Sequence, residues 1–472
     1  MSKKIETSEM PELDPLAMKL IYLLDRFQSN QEDLLYTSEF ILEREADIND
    51  RKARAKSDIK NNFPHVDPSL VDEGWDLVLS KLSPSSSSSA DNDQGENAPR
   101  DQIDDDLADF LSRIPKDCRG GYTRALFKGI LDSKIKKSSS RLWASILTSI
   151  VADFEVLIGN LMREIISKHP IIISNSGTTY SWKEVAQFET LEDFKDHQIN
   201  QYVDKLLFGS YSDWLDFLDS KVHIDVPKLA RSSAVIEIFQ RRHMIVHNAG
   251  IASKQYVSSI GADSADEVLG RELIVDPAYL IAASNRVIAV GTCLALNLGT
   301  KFVRDDRSRR YLESFVVSEV SYRLLHAGRF DAVTDLCNIV DRSAFVSSDS
   351  ALRFAVNGWI AAKYGGSSDS YIKDVRSWDT SALNPVFQLA KLTLLDELDE
   401  ALKMSSVLRK SGVIKLHHWL TWPLFKELRE YERTRAESDA PSLDQGTVAQ
   451  LPLAEESMAS SGGQMPSPHR ES

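Results

Sequence analysis

The chain has 472 residues, 42% of them hydrophobic, and a formal net charge of -14 from 56 basic and 70 acidic side chains. That length suits two or three domains with a sizeable core. The acidic balance excludes a general nucleic-acid coat protein, but not a local basic patch assembled across a symmetric interface. Cys118, Cys293 and Cys337 have neither metal-site nor disulfide spacing and read as ordinary thiols of a reducing compartment. The N-terminal stretch lacks the apolar core of a secretory signal, and no run of eighteen apolar residues suggests a membrane span. The expected location is the cytoplasm, with no membrane partner.

Residues 1–82 are expected to form an N-terminal helical region. Leu16, Leu20, Leu23, Leu24 and Phe27 recur at helical spacing. Residues 38–59 read as a charged helix, and Asp67-Pro68-Ser69 opens a shorter one with Leu70, Trp75, Leu77 and Leu79. Residues 83–106, rich in serine, proline and acids, are expected to be a disordered linker, because they hold too little apolar surface to offset ordering entropy. Residues 107–305 read as a second helical unit. Within it, Ser138 to Lys168 carry Leu142, Ile146, Ile150, Phe154, Leu157, Leu161 and Ile165 at intervals of three and four. Leu191 to Leu218 form a stretch interrupted near Gly209. A further helix starts at Pro227, runs to about Asn248 and stops at Gly250, which suits a left-handed cap. Pro277 starts a fourth long helix through Leu296, and four such helices suggest a bundle.

From 306 to 432 the segments shorten and pair. Two elbows, Leu325 to Ala332 and Leu394 to Ala401, resemble the turn and second helix of a degenerate tetratricopeptide-like hairpin. This region is expected to be an irregular helical repeat for protein or peptide contact. Residues 433–472 read as a disordered tail.

One string concentrates chemistry: Arg242-His243-Met244-Ile245-Val246-His247-Asn248-Ala249-Gly250. Arg242 and His247 lie roughly 140° apart around an ideal helix and about 7.5 Å apart along it. Their side chains are long enough to flank one small anion. RNA supplies its own nucleophile in the 2′-hydroxyl. A protein need only remove that proton, stabilise the phosphoryl oxygens and protonate the leaving 5′-oxygen. Arginine offers a rigid fork to two phosphoryl oxygens, and histidine titrates near neutrality. The less specific readings stay open: Arg242 as an ion pair with Glu237 or another acid, His247 as a polar residue near a cap, His243 and Arg241 as surface residues. Asn248 either orients the 2′-hydroxyl or caps the helix. Tyr256 either stacks on a base or packs in the core.

Arg242-x4-His247, with polar His243 directly after the arginine, resembles the signature of HEPN-superfamily ribonucleases of the RiboL-PSP or abortive-infection type. The resemblance covers about residues 135 to 300 and takes in Asp153-Phe154-Glu155 on a preceding helix and Tyr256. It implies an all-α fold, a HEPN-like helical bundle that forms a homodimer and joins two motifs at one cleft. It further implies a metal-independent endoribonuclease without cofactor, of bacterial toxin or anti-phage defence type. Arg242 and His247 would be catalytic, with His243, Arg241, Asn248, Glu155 and Tyr256 supporting catalysis or contacting RNA. The flanking regions would meet an antitoxin, a phage-derived trigger or another protein. The alternative is a noncatalytic HEPN-type adaptor that binds RNA or protein as a dimer. His417-His418 reads as packing beside Trp419 and Trp422. Asp104 to Asp106 lacks further magnesium ligands, and neither a phosphate loop nor a serine elbow is present.

Overall fold

A computed structural model describes residues 13–82, 100–133, 138–174, 179–261, 268–366 and 368–439. The described residues form an all-α protein without a named strand; one isolated bridge joins Ile251 and Glu272. Its longer helices are α1 (Pro15–Glu43), α2 (Arg51–Asn62), α3 (Ser69–Leu82), α4 (Arg100–Ser112), α5 (Arg119–Ser133) and α6 (Ser138–Lys168). They continue as α7 (Leu191–Leu207), α8 (Tyr211–Ser220), α9 (Ser233–His247), α10 (Lys254–Ile260) and α11 (Pro277–Phe302). The C-terminal part holds α12 (Asp306–Phe315), α13 (Ser321–His326), α14 (Phe330–Ile339), α15 (Ser348–Tyr364), α16 (Ser368–Ser377), α17 (Pro385–Leu394), α18 (Leu398–Lys410), α19 (Leu416–Thr421) and α20 (Lys426–Asp439).

The main core is built on α1, α6 and α11, which pack against one another. Asp14 caps α1 by accepting from the Leu16 N–H, with Pro15 in the first turn. Its stripe of Leu16, Leu20, Leu24 and Phe27 is buried in the same core as Ile150, Phe154 and Leu157 of α6. Gly291 on α11 permits this approach. A Cβ there would lie 2.7 Å from Leu157 Cδ2 and 3.2 Å from Phe27 Cε1. By length and composition α6 and α11 could each cross a membrane, although neither holds eighteen unbroken apolar residues; 50% of the apolar window of α6 and 78% of that of α11 are buried inside the fold.

A second, smaller core lies between α2, α3, α4 and α5, around Trp75, Phe110, Tyr122 and Leu126. Packing therefore cuts across the expected divisions at 82 and 107. The first helix joins the central bundle, and residues 51–82 join with 100–130 instead. Periodicity reports that a helix has an apolar face, not which helix covers it. The expected linker at 83–106 is helical from Arg100, because Leu107, Phe110 and Leu111 give α4 a face on the small core; residues 83–99 lie outside the described residues. Likewise α20 extends to Asp439, into the expected tail, held by Leu428 in the core and by Arg409 pairing with Glu432 at 2.6 Å; residues 440–472 lie outside the described residues.

The expected break near Gly209 is a change of helix. Ser210 and Asp213 form a reciprocal capping box that starts α8. The helix expected from Pro227 starts later, because Lys228–Arg231 make a 3-10 turn and Ser232 caps α9. In the C-terminal part both elbows are helix–turn–helix pairs, α13 with α14 and α17 with α18, each turning on a left-handed residue: Gly328 at φ 70° and Asp396 at φ 61°. All three cysteines are free.

Candidate functional site

The end of α9 is anchored by an aromatic cluster beneath it. Phe239 stacks on Tyr211 of α8, with centroids 3.9 Å apart, and meets Phe154 of α6 edge-on at 5.5 Å. The Tyr211 hydroxyl donates to the Ala230 carbonyl at 3.0 Å, fixing the entry to α9. Above this cluster opens a cleft of about 820 Å³. Glu155 lines it from α6, Phe208 from the α7–α8 junction, and Arg242, His243 and His247 from α9.

Arg242 reaches Glu155 across the cleft, Nη2 to Oε2, at 3.2 Å. This is its one ion pair among the described residues, and its buried Nε has no partner. Burial pushes the Glu155 carboxyl above its ordinary value, against the opposing pull of the Arg242 charge. The resemblance implied a supporting role for Glu155, and here it holds the arginine. The Arg242–Glu237 pair considered above does not form, because Glu237 is occupied by the neighbouring arginine.

His243 and His247 are both exposed and lie one helical turn apart, with ring centroids at 4.7 Å. Partial burial lowers the His243 pKa, and the nearby His247 and Arg242 charges add to that shift. Neutral His243 thus persists to lower pH than in an isolated histidine. The cleft brings together a guanidinium, two imidazoles and a carboxylate: an anion clamp beside two proton-transfer groups.

Three residues named from the sequence sit elsewhere. Arg241 turns away from the cleft: its Nε donates to Glu237 Oε1 at 2.6 Å, Nη1 donates to the Ile274 carbonyl, and its guanidinium lies 4.1 Å from the Tyr279 ring centroid. Tyr256 is 1% exposed, so it cannot stack on a base; its hydroxyl donates to Glu237 Oε1 at 2.6 Å. The Tyr279 hydroxyl fills the other oxygen, Oε2, at 2.6 Å. Burial, with Glu237 alongside, raises both tyrosine pKa values. Asn248 serves as the cap. Its backbone N–H donates to the Met244 carbonyl at 2.8 Å and its side-chain amide donates to the Ile251 carbonyl at 2.6 Å. Gly250 takes the left-handed conformation expected of it, at φ +77°.

Phe208 was missed. It is 91% exposed and lines the cleft, a ring open to stacking. The available signal was an aromatic directly before the Gly209-Ser210 break, where the chain leaves one helix and the ring lacks a core to enter. His417 and His418 are exposed, whereas Trp419 and Trp422 are buried; no cluster suited to a metal ion occurs among the described residues. No protein-family model, curated protein or solved structure matches this chain.

Proposed function

We propose that this protein is a metal-independent endoribonuclease on a HEPN-like helical bundle. The observation that carries the reading is the convergence of Arg242, His243 and His247 in one open cleft, with Glu155 holding the arginine. Arg242 retains donors beyond its single pair and meets the phosphoryl oxygens. His243, favoured neutral, accepts the 2′-hydroxyl proton, and His247 protonates the departing 5′-oxygen. Each charge the reaction develops is met by a side chain, so the chemistry asks for no metal. Phe208 offers a stacking face to an unpaired base, which favours single-stranded RNA.

A homodimer would join two such clefts; the exposed Val246 gives that contact apolar area. The paired helices after residue 306 serve as a tetratricopeptide-like surface for an antitoxin, a phage-derived trigger or another protein. The biological setting is a toxin or anti-phage defence system in the cytoplasm.

One observation favours a second reading, a noncatalytic adaptor: Glu155 already occupies part of the Arg242 fork. Cleavage separates the two. Purified wild-type protein, R242A and H247A are incubated in EDTA with total cellular RNA and with phage-infected lysate. Discrete fragments from wild type alone support the nuclease. RNA retention without cleavage by wild type, lost in R242A, supports the adaptor.

A further inference from the structure

A second cavity, of about 830 Å³, opens between α1, α11 and the α13–α14 turn. Its wall holds Arg329, which is 8% exposed and has no carboxylate within ion-pair distance among the described residues. Arg329 Nε donates to Asn285 Oδ1 at 2.7 Å and Nη2 to Ser284 Oγ at 3.0 Å, while Nη1 has no partner. A buried guanidinium held only by neutral groups is costly unless an anion completes it. Burial pushes its pKa down to about 10, with the Glu32 charge opposing.

The arginine is held in place by a buried polar chain. Ser284 Oγ donates to Gln31 Oε1 at 2.9 Å, and Gln31 Nε2 donates to Asp153 Oδ2 at 3.0 Å. Arg329 also precedes α14, whose N-terminus has no side-chain cap, so backbone polarity adds to the attraction for an anion. The neighbouring cation, Arg323, is committed to Asp25.

The acids around the cavity limit the ligand's charge. Glu32 and Glu39 both line it from α1, two turns apart on one face and about 10 Å along the axis. Asp331 lines it from the first turn of α14. A doubly charged phosphate would be repelled by these three carboxylates. A single carboxylate joined to an ammonium group meets both charges. We propose that this cavity binds a small zwitterion of the amino-acid class, its carboxylate on Arg329 and its α-ammonium toward Glu32, with Glu39 left to meet a second ammonium at the end of a longer side chain. Leu35, on α1 between Glu32 and Glu39, and Ile281 of α11 line the cavity and suit a short methylene chain.

The test is calorimetric titration and thermal unfolding of the full chain with L-lysine, glycine, acetate and inorganic phosphate at constant ionic strength. L-lysine and glycine are expected to bind saturably and raise Tm, with acetate weaker and phosphate inert. R329Q is expected to weaken L-lysine binding by about thirtyfold or more. No saturable amino-acid binding, equal binding by R329Q, or tighter binding of phosphate would overturn the proposal. If R329Q does not fold, E39Q on the exposed face of α1 carries the test. Reduced preference for L-lysine over acetate supports the site, and unchanged preference overturns it.

Discussion

Arg241 and Arg242 are adjacent on one helix, yet they occupy opposite chemical situations. Arg241 belongs to a packed network: a carboxylate, a backbone carbonyl, an aromatic face and two tyrosine hydroxyls converge around its pair with Glu237. Arg242 has one 3.2 Å contact to Glu155 and an unpaired Nε at the edge of an open cleft. A step of about 100° around the helix separates them. The difference teaches that charge type alone does not mark function. An arginine committed to partners inside the fold maintains the fold, and an under-satisfied one in a cleft is available to a ligand.

The largest effect that would break this contrast is on stability. Glu237→Ala leaves Arg241, Tyr256 and Tyr279 without their shared acceptor and is expected to cost about 3–5 kcal/mol. Glu155→Ala removes one partly exposed pair and is expected to cost no more than about 1 kcal/mol. Urea denaturation of the two variants measures both; equal losses would erase the distinction between the regions.

Activity should divide the other way. Arg242→Ala is expected to reduce RNA cleavage by about 100-fold or more, the scale of losing one donor to a developing anion, while its melting curve stays near wild type. Steady-state cleavage and thermal unfolding on the same preparation test this, and a variant that loses both together would reassign Arg242 to structure.

Parts of this contrast were readable before the fold. The long apolar rows of α6 and α11, the left-handed Gly250 and the pairing of Glu155 with Arg242 correspond to local patterns or to a motif. Burial of Arg241 was not readable, and for Tyr256 core packing stood beside base stacking with nothing in the sequence to choose between them. Their partners come from residues 237, 274 and 279, and only the turn after α9 folds those segments together. Long-range packing also hid the placement of α1 beside α6 and α11, and the acidic run before Leu107 hid the first turns of α4. Phe208 escaped because exposure is a property of the finished surface.

Smaller effects sharpen the picture. At Gly250 a Cβ meets nothing within 4 Å, so Gly250→Ala carries only the backbone cost of φ +77°, about 1–2 kcal/mol. Cleavage below the melting transition should be unchanged; a large activity loss at full folding would show that the turn itself takes part. The least effect is on pH dependence. His243 is lowered chiefly by burial, then by His247 and Arg242, so its neutral form is favoured by folding. Its contribution to stability is therefore full above the ordinary histidine value of about 6.5 and is lost as pH falls through its lower folded value. The acid limb of the cleavage profile should lie below that ordinary value and disappear in H243N. A limb at or above it would contradict neutral His243 as the proton acceptor.

The most direct test of the central claim is the chemistry of the cut ends. Wild-type protein is incubated in EDTA with a single-stranded RNA oligonucleotide and with its all-deoxy counterpart, and the products are resolved by mass spectrometry. Attack by the 2′-hydroxyl predicts fragments ending in a 2′,3′-cyclic phosphate from RNA and an intact deoxy strand. Uncut RNA, a 3′-hydroxyl at the cut end of the upstream fragment, or cleavage of the deoxy strand would contradict it.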